Sequence, residues 1–185
     1  KGDGMVPYVL VILAEGFEEV EAVTPIDLLR RSGAKVVVAG LDDLMVKGSH
    51  GLVVGCDRLL SECMDEEFDC VVLPGGGKGS QNLASSFSVM EAVIKTAQTG
   101  YVAAICAAPA VVLGKTGLLE GKRVTGYPST EELCPGLKLE NEKVITDDRL
   151  ITAQAAGSAL HFSLAVIAAL FDQETADAIA EQVKF

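Results

Sequence analysis

The feature that most constrains the fold is a continuous run of apolar, mostly β-branched residues near the start of the chain, Tyr8–Ala14. Such a run is typical of a strand covered on both faces, as in a parallel sheet. The next segment, Glu18–Arg31, repeats apolar residues at helical spacing and is followed by Gly33, a residue type suited to end a helix. The chain therefore opens with a buried strand followed by a helix.

Short strands and helices continue to alternate along the chain, an order typical of a mostly parallel sheet with helices on both faces. Glycines divide the segment Val46–Cys56 into a small hairpin. The expected fold class is therefore α/β, with ligands bound beyond the carboxyl ends of the strands. The further predicted strands are Lys35–Gly40, Asp69–Leu73, Tyr101–Ile105, Arg123–Thr125, Val144–Asp147 and Leu150–Ala153, and the further predicted helices are Phe87–Thr99, Pro109–Lys115, Ser158–Phe171 and Thr175–Val183.

Length and charge restrict the class of protein further. The chain has 185 residues, of which 49% are hydrophobic, enough for one domain with a buried core. Its formal net charge of −11 repels polyphosphates and anionic lipids, so neither nucleic acid nor a membrane is an expected partner. The longest apolar runs are far shorter than the roughly 20 residues of a membrane-spanning helix. We expect a single domain over residues 1–185, with a flexible start over residues 1–7 that lacks an initiator Met and a signal-peptide pattern.

The five cysteines are an odd number and show no CxxC spacing, so neither a disulfide framework nor a zinc site is expected. We interpret them as free thiols of a protein in the cytoplasm or another reducing compartment. Four of them, Cys56, Cys63, Cys70 and Cys134, are expected to be small, partly buried apolar side chains. The fifth, Cys106, has a different setting.

Cys106 lies where a predicted apolar strand ends and a predicted helix begins. A residue on such a sharp turn projects its side chain from the top of the sheet, where backbone N–H groups favour the thiolate. Ala107 and Ala108 leave room for the turn, and Pro109 suits the first turn of a helix. The setting predicts a reactive thiol with a lowered pKa. The alternative is a cysteine that only packs at a strand end.

The glycine-rich segment Leu73–Ser80 follows another predicted strand. It is not a phosphate-binding P-loop, because Gly79 rather than Ser or Thr follows Lys78. It also fails to match GxGxxG, because Ser80 occupies the last position. The remaining interpretation is a loop whose backbone N–H groups point into the crevice and can bind an oxyanion.

Four glutamates surround the junction between the first strand and the first helix, namely Glu15, Glu18, Glu19 and Glu21. We expect Glu18 and Glu19 to complement the dipole at the helix N-terminus. Glu21 lies one turn further in and can face the crevice. An apolar setting there would favour its neutral form and let it donate a proton to a thiolate.

The chain has two histidines, and this small number limits the possible mechanisms. His50 is in the predicted hairpin turn, where solvent surrounds it, and His161 is inside the predicted helix Ser158–Phe171 beside Phe162. Neither is expected to activate a cysteine. Cys–His catalysis of the peptidase or class I amidotransferase type and a histidine-rich metal site are therefore disfavoured.

Several separated motifs closely resemble the ThiJ/PfpI superfamily, and in particular its Parkinson-disease-associated deglycase branch. They are Val11–Glu21, the Val72–Gly76 loop with Gln81–Leu83, and Ala103–Pro109. Matching segments in the same order extend the resemblance from about Val9 to Val183, namely Asp27–Gly33, Gly117–Lys122 and Thr125–Pro128.

The resemblance implies a flavodoxin-like three-layer sandwich that forms homodimers and uses no metal or organic cofactor. It implies that Cys106 is the reactive cysteine and that the Glu21 carboxylic acid hydrogen-bonds to its sulfur. It also implies that the backbone N–H groups of Gly76 and Ala107 line an oxyanion site. Members of the branch are described as glutathione-independent glyoxalases, as protein or nucleotide deglycases, as redox-responsive chaperones and as oxidative-stress sensors.

The chain departs from the family pattern in two places. Many relatives carry a His at the position of Tyr127, so a relay through that imidazole is absent, although the Tyr127 hydroxyl could position a substrate. Relatives also tend to have Arg or Gln followed by Gly-Pro-Gly near the last helix. This chain has Gln154–Ser158 instead, which predicts a less rigid pocket rim and dimer contact.

Two functions are consistent with these residues. The first is an enzyme for small α-oxoaldehydes such as methylglyoxal, or for glycated proteins: the Cys106 thiolate adds to the aldehyde carbon, and Glu21 moves a proton through an enediolate to give lactate. The second is a redox sensor and chaperone-like protein, in which Cys106 is oxidised to a sulfinate that a neutral Glu21 stabilises. Both predict hydrogen-bonding contact between the Cys106 sulfur and the Glu21 carboxyl.

Overall fold

A seven-stranded sheet forms the centre of the computed structural model, which describes residues 5–185. Within those residues the strands are β1 (Tyr8–Leu13), β2 (Lys35–Gly40), β3 (Met45–Lys47), β4 (Val53–Gly55), β5 (Arg58–Leu59), β6 (Cys70–Leu73), β7 (Tyr101–Ile105), β8 (Val144–Asp147) and β9 (Leu150–Ala153). The order across the sheet is β5-β2-β1-β6-β7-β9-β8, and all neighbours are parallel except β8 and β9. Strands β3 and β4 form the separate antiparallel hairpin that the sequence predicts.

Helices cover both faces of the sheet. They are α1 (Glu19–Arg31), α2 (Gly77–Ala84), α3 (Phe87–Ala97), α4 (Ala108–Val111), α5 (Ala159–Leu170) and α6 (Gln173–Gln182). The core on one face includes side chains of α1, α5 and α6, and the core on the other face includes side chains of α2, α3 and α4. The predicted α/β, flavodoxin-like three-layer fold is confirmed.

The central strand β1 shows why an unbroken apolar run forms the middle of this sheet. Its side chains alternate between the two cores, with Val9, Val11 and Leu13 on one face and Leu10 and Ile12 on the other. All five are almost completely buried. Burying an aliphatic side chain of this size contributes roughly 1.5–3 kcal/mol. Apolar residues at every position of β1 therefore stabilise the packing of both helical layers.

The order of the strands places a crevice at one edge of the sheet. Strand β1 lies between β2 and β6, so the connections that leave β1 and β6 run in opposite directions across the sheet. Ligands of open α/β sheets bind at such a switch point, beyond the carboxyl ends of the strands. The segments after β1, β6 and β7 meet there.

The predicted strand Arg123–Thr125 is not formed. The Arg123 N–H donates to the Asp147 carboxylate at 2.8 Å, and the Thr125 N–H donates to the Thr152 hydroxyl at 3.0 Å. Side-chain oxygens therefore replace the carbonyl partners of a strand ladder. The apolar and β-branched composition of the segment gave no indication of this exchange.

Two helical segments also differ from prediction. Helix α2 occupies Gly77–Ala84, part of a segment predicted as a loop, because its Leu83 and Ala84 pack into the core although glycine disfavours helices. The helix predicted at Pro109–Lys115 divides into α4 and a 3-10 turn at Leu113–Lys115. Strand β5 is two residues long and was not predicted.

The predicted flexible start falls partly outside the described residues, because residues 1–4 are not among them. Met5 and Val6 are exposed. Pro7 is buried, and its carbonyl accepts a hydrogen bond from the Lys35 N–H at 2.9 Å. Within residues 5–185, no helix combines the length and apolar character needed to cross a membrane.

Candidate active site at the Cys106 turn

Cys106 lies on the sharp turn between β7 and α4 that the sequence predicts. Its φ of 66° is in the left-handed region, which residues other than glycine rarely adopt. Hydrogen bonds on both sides hold this conformation: the Cys106 N–H donates to the Ala153 carbonyl at 2.9 Å, and the Cys106 carbonyl accepts from the Tyr127 N–H at 2.7 Å. Strained backbone of this kind clusters at functional sites. The half-buried thiol lies at the carboxyl end of a central strand.

The Glu21 carboxyl approaches this thiol from helix α1. Glu21 is completely buried, and its carboxyl lies beside the Cys106 thiol, so that each group shifts the pKa of the other. Its Oε1 accepts the Gly75 N–H at 3.0 Å, whereas Oε2 has no hydrogen-bond partner within residues 5–185. A Cβ added to Gly75 would lie 2.5 Å from Glu21 Oε1 and 2.7 Å from the Cys106 Cβ. Glycine at this position therefore allows helix, loop and turn to close around one another.

The pKa of Glu21 is raised to about 7. Burial is the largest cause, because it disfavours the charged form, and the negative charge of Glu18 acts in the same direction. Hydrogen bonds with the Cys106 thiol and the Gly75 N–H lower the pKa without cancelling these effects. Glu21 can therefore hold a proton near neutral pH, as its apolar setting led us to expect.

The thiol differs from its predicted behaviour. The pKa of Cys106 is raised to about 12 rather than lowered. Burial is the largest cause, and the charge and hydrogen bonding of Glu21 add to it. The N–H groups of Gly76 and Ala107 lower the pKa as predicted, but they are outweighed. The effects of Glu21 require its ionised form, so a protonated Glu21 removes them and can donate to the sulfur instead.

Two backbone N–H groups, those of Gly76 and Ala107, favour negative charge on the Cys106 sulfur and so lower the pKa of its thiol. Gly76 has a φ of 90°, and a Cβ on it would lie 2.4 Å from the Gly16 carbonyl oxygen and 2.8 Å from the Glu18 nitrogen. The positive φ and the close approach both favour glycine. The Gly76 N–H of the glycine-rich loop can therefore stabilise negative charge on the sulfur, or on an adduct bound to the sulfur.

Glu19, which we expected only to complement the helix dipole, is also buried against the β3–β4 turn. It is 5% exposed, and its oxygens accept hydrogen bonds from the Ser49 hydroxyl at 3.2 Å, the His50 N–H at 2.8 Å and the Leu52 N–H at 3.2 Å. Burial alone would raise the pKa of Glu19, but hydrogen bonds from backbone N–H groups and from His50 lower it to about 2. Glu19 thus holds the β3–β4 turn against the start of α1.

Glu18, Glu19 and His50 bring potential metal-ligating atoms within 4.8 Å of one another. The His50 Nδ1 lies 3.4 Å from Glu18 Oε1 and 3.1 Å from Glu19 Oε1, and the ring is largely exposed, as predicted. The Glu19 oxygens already accept the hydrogen bonds that hold the turn. We therefore interpret the cluster as a contact between hairpin and helix rather than as a metal site.

The histidines and the Tyr127 side chain have other surroundings. Among the described residues, no histidine contributes to the environment that sets the Cys106 pKa. His161 lies on α5, edge-on to Phe185 with the ring centroids 4.8 Å apart. Tyr127 is 51% exposed, and it contacts Cys106 through its backbone N–H.

Sequence reasoning missed two contributions, those of Gly75 and Glu18. Glu18 is the N-cap of α1: its Oε2 accepts the Glu21 N–H at 3.1 Å, and its own N–H donates to the Gly75 carbonyl at 3.0 Å. An acceptor residue three positions before a glutamate at a helix start is a recognisable capping signal. The contact with Gly75 has no such signal, because the two residues are far apart in the chain.

Comparisons with known proteins agree with this fold and site. A family model described as the DJ-1/PfpI family matches residues 7–169. The chain is 42% identical over 176 residues to DJ-1 homolog A of Arabidopsis thaliana, covering 93% of this chain and 45% of that protein. It is 30% identical over 152 residues to a protein of Pyrococcus abyssi named as a deglycase, covering 80% of this chain and 90% of that protein. The solved structure of oxidized Toxoplasma gondii DJ-1 has a TM-score of 0.93 and 37% identity, covering 97% of this chain and 99% of that one.

Fold and site together define a flavodoxin-like α/β protein with a cysteine on a strand-to-helix turn and a buried glutamate against it. The family model covers most of the chain, so the chain belongs to the DJ-1/PfpI family. It spans less than half the length of two Arabidopsis relatives, DJ-1 homologs A and B.

Proposed function

We propose that this chain converts small α-oxoaldehydes, such as methylglyoxal, into hydroxy acids without glutathione. The observation that carries the proposal is the contact between the buried Glu21 carboxyl and the Cys106 thiol, beside the N–H groups of Gly76 and Ala107. A nucleophile, a proton-transfer group and an oxyanion donor set are the parts that such a reaction needs. A neutral substrate requires no basic pocket, which agrees with the formal net charge of −11.

The proposed reaction begins when the Cys106 thiol releases its proton to solvent and the sulfur forms a bond to the aldehyde carbon of methylglyoxal, whose C=O double bond becomes a single bond. The aldehyde oxygen takes a proton from Glu21, while the N–H groups of Gly76 and Ala107 stabilise the developing negative charge. The Glu21 carboxylate then removes the proton from that carbon, and reprotonation of the resulting enediolate at the neighbouring carbon gives a thioester of lactate. Water cleaves the thioester, which releases lactate and restores the thiol. No external oxidant or reductant is consumed.

The test is lactate production from methylglyoxal by purified protein. We expect Cys106→Ala to lower the rate at least about 100-fold, because the covalent step is lost. The matched control is Cys56→Ala, which removes another partly buried thiol with no contact to Glu21 among the described residues. Its rate should equal that of the unaltered protein. Unaltered protein that produces lactate no faster than Cys106→Ala would exclude the proposed activity.

The same site could act on glycated proteins, and this extends the proposal to deglycation. The relative from Pyrococcus abyssi is named as a deglycase. The early adduct of an α-oxoaldehyde with an amine is a hemiaminal. The Cys106 sulfur would replace the amine at its carbon, and the amine would leave with a proton from Glu21, which gives the same hemithioacetal as the free aldehyde. Release of free amine from a methylglyoxal-treated peptide would distinguish this activity, provided that the free aldehyde is first removed.

A second candidate function is redox sensing with chaperone-like activity, and a specific observation favours it. The Toxoplasma gondii relative was solved in an oxidized form. In this chain a protonated Glu21 could donate a hydrogen bond to a Cys106 sulfinate, whose two oxygens would come from two equivalents of peroxide reduced to water. After mild peroxide treatment, mass spectrometry should find two added oxygens at Cys106. This result together with negligible lactate production would favour the sensor over the enzyme.

We also propose that the chain forms homodimers in a reducing compartment such as the cytoplasm. Proteins of this family are commonly dimeric. Val20 and Val23 on α1 and Leu52 and Val53 on the hairpin are exposed apolar side chains on two elements that contact each other. Cys56, Cys63, Cys106 and Cys134 are free thiols, which supports a reducing environment. Light scattering should give twice the chain mass of 19.3 kDa, and Val20→Lys should lower it.

A further inference from the structure

We propose that Glu18 is a positioning residue for the Cys106–Glu21 pair. It holds the Glu21 backbone in place, and its negative charge keeps a proton on the Glu21 carboxyl. The inference rests on the proposed function, because it gives Glu18 a part in preparing the nucleophile of that reaction. Glu18 acts through Glu21 and is not itself a catalytic residue.

Hydrogen bonds join Glu18 to Glu21 and to Gly75, the residue whose N–H holds the Glu21 carboxyl. The Glu18 Oε2 accepts the Glu21 N–H at 3.1 Å, and the Glu18 N–H donates to the Gly75 carbonyl at 3.0 Å. The Gly75 N–H in turn donates to Glu21 Oε1 at 3.0 Å. Three hydrogen bonds thus connect Glu18, Glu21 and Gly75 in a closed ring. A change at Glu18 is therefore transmitted directly to the carboxyl that contacts the sulfur.

The charge of Glu18 acts on the same carboxyl. The negative charge of Glu18 disfavours ionisation of Glu21, because like charges repel. The Glu18 side chain is 16% exposed, whereas Glu21 is completely buried. Water therefore reaches Glu18 and can stabilise its charge, while the buried Glu21 has no such access. The arrangement therefore favours retention of the proton by Glu21.

The other titratable groups around this pair come from neighbouring segments. Glu21 faces the Cys106 thiol from the β7–α4 turn and Glu18 from the start of α1. Glu18 faces the His50 ring from the β3–β4 turn, at 3.4 Å. Lys78 of α2 pairs instead with Glu15, at 3.3 Å. Within residues 5–185, neither a lysine nor an arginine forms an ion pair with Glu18.

Removal of the Glu18 charge is expected to change which group loses its proton first, the Glu21 carboxyl or the Cys106 thiol. If the charge of Glu18 is removed, Glu21 ionises more easily, and its charge then opposes loss of the proton from the sulfur. Less thiolate is present at neutral pH as a result. Removal of the charge should therefore both lower the pH at which Glu21 titrates and slow the chemistry of Cys106.

Three substitutions separate the charge of Glu18 from its role as helix cap. Glu18→Gln and Glu18→Ser remove the charge, and the serine is a favoured N-cap that keeps an oxygen acceptor at this position. Glu18→Asp keeps both the charge and the cap. Glu15→Gln is the matched control, because it removes a carboxylate of the same loop that pairs with Lys78 instead of contacting Glu21.

Two measurements are made on the full chain: the titration of Glu21 by ¹³C NMR of labelled carboxyl groups, and the rate of Cys106 alkylation by iodoacetamide against pH. For Glu18→Gln and Glu18→Ser we expect the Glu21 midpoint to fall by about one pH unit and alkylation near pH 7 to slow by roughly three- to tenfold. Glu18→Asp and Glu15→Gln should stay within about twofold of the unaltered protein in alkylation rate.

An unchanged Glu21 midpoint in folded Glu18→Gln and Glu18→Ser would overturn the proposal, even if alkylation slowed, because a structural role alone would then explain the rate. An equal shift in Glu15→Gln would overturn it as well. The titration does not depend on methylglyoxal. A shifted midpoint in a protein that makes no lactate would therefore support the role of Glu18 and reject the enzyme function.

Discussion

Glu19 and Glu21 lie two residues apart on the same helix, and both are buried. Their pKa values nevertheless differ from that of an ordinary glutamate in opposite directions. Glu19 is 5% exposed and Glu21 is 0% exposed. The pKa of Glu19 is lowered to about 2, whereas the pKa of Glu21 is raised to about 7. Burial disfavours the charged form of both, so burial alone does not decide which of them is ionised.

The difference comes from the donors that each carboxyl meets. Glu19 lies against the β3–β4 turn, whose N–H groups at His50 and Leu52 point at its oxygens and stabilise the charge. Glu21 meets one backbone N–H, that of Gly75, and a thiol. A carboxylate that accepts several N–H groups is held ionised, and one that accepts few retains its proton. The same helix therefore carries a structural anion and a group suited to proton transfer.

The largest effect that tests this comparison is expected from Glu21→Gln. The amide cannot transfer the proton, so the rate of lactate production should fall about 100-fold or more, and any change in rate near pH 7 due to Glu21 should disappear. Steady-state rates between pH 5 and 9 measure both. Glu19→Gln is the matched control and, corrected for the folded fraction, should lower the rate less than about tenfold. Equal losses in the two variants would contradict the separate roles.

The next effect is on stability, and it should appear at Glu19. Glu19→Ala leaves the N–H groups of the β3–β4 turn without their acceptor, so the free energy of unfolding at pH 7 should fall by about 2–4 kcal/mol. Chemical denaturation measures this change. Glu120→Ala removes an exposed carboxylate and should change stability by less than about 0.5 kcal/mol. Similar losses in both variants would show that the contacts of Glu19 contribute little.

The dependence of that loss on pH follows from the lowered pKa of Glu19. A carboxyl whose pKa in the folded protein is below its ordinary value of 4.5 stabilises the fold above pH 4.5, and this contribution is lost as the pH falls towards about 2. The difference in the free energy of unfolding between unaltered protein and Glu19→Ala should therefore decrease as the pH falls from 4.5 towards about 2. The raised pKa of Glu21 gives the opposite sign, since its contribution is complete below pH 4.5 and is lost as the pH rises through about 7.

The smallest effect is expected from Ser49→Ala, which removes one donor to Glu19 and leaves the backbone N–H groups in place. The Ser49 hydroxyl lies 3.2 Å from Glu19 Oε1. Its loss should lower the free energy of unfolding by about 0.5–1.5 kcal/mol. Denaturation at pH 7 measures the effect. A loss as large as that of Glu19→Ala would show that the hydroxyl, rather than the backbone, holds the carboxylate.

Much of the candidate site could be predicted from local patterns. The strand-to-helix turn at Cys106 followed from an apolar run, two alanines and a proline, and the helix that carries Glu21 followed from apolar spacing. The structure brings these two residues into contact, as the family resemblance implied. The position of Glu19 could not be predicted, because its hydrogen-bond partners belong to a hairpin about 30 residues away.

The sequence by itself determined the alternation of strands and helices and the bend at Cys106, because each depends on residues that are neighbours in the chain. Only the tertiary structure decided which groups are charged. Burial in the folded protein raises the pKa of Cys106, although the nearby N–H groups led us to predict a lowered one. The tertiary structure also lowers the pKa of Glu19 and raises that of Glu21. A pKa depends on solvent access and on every nearby charge and donor, and folding brings those atoms together from distant parts of the chain.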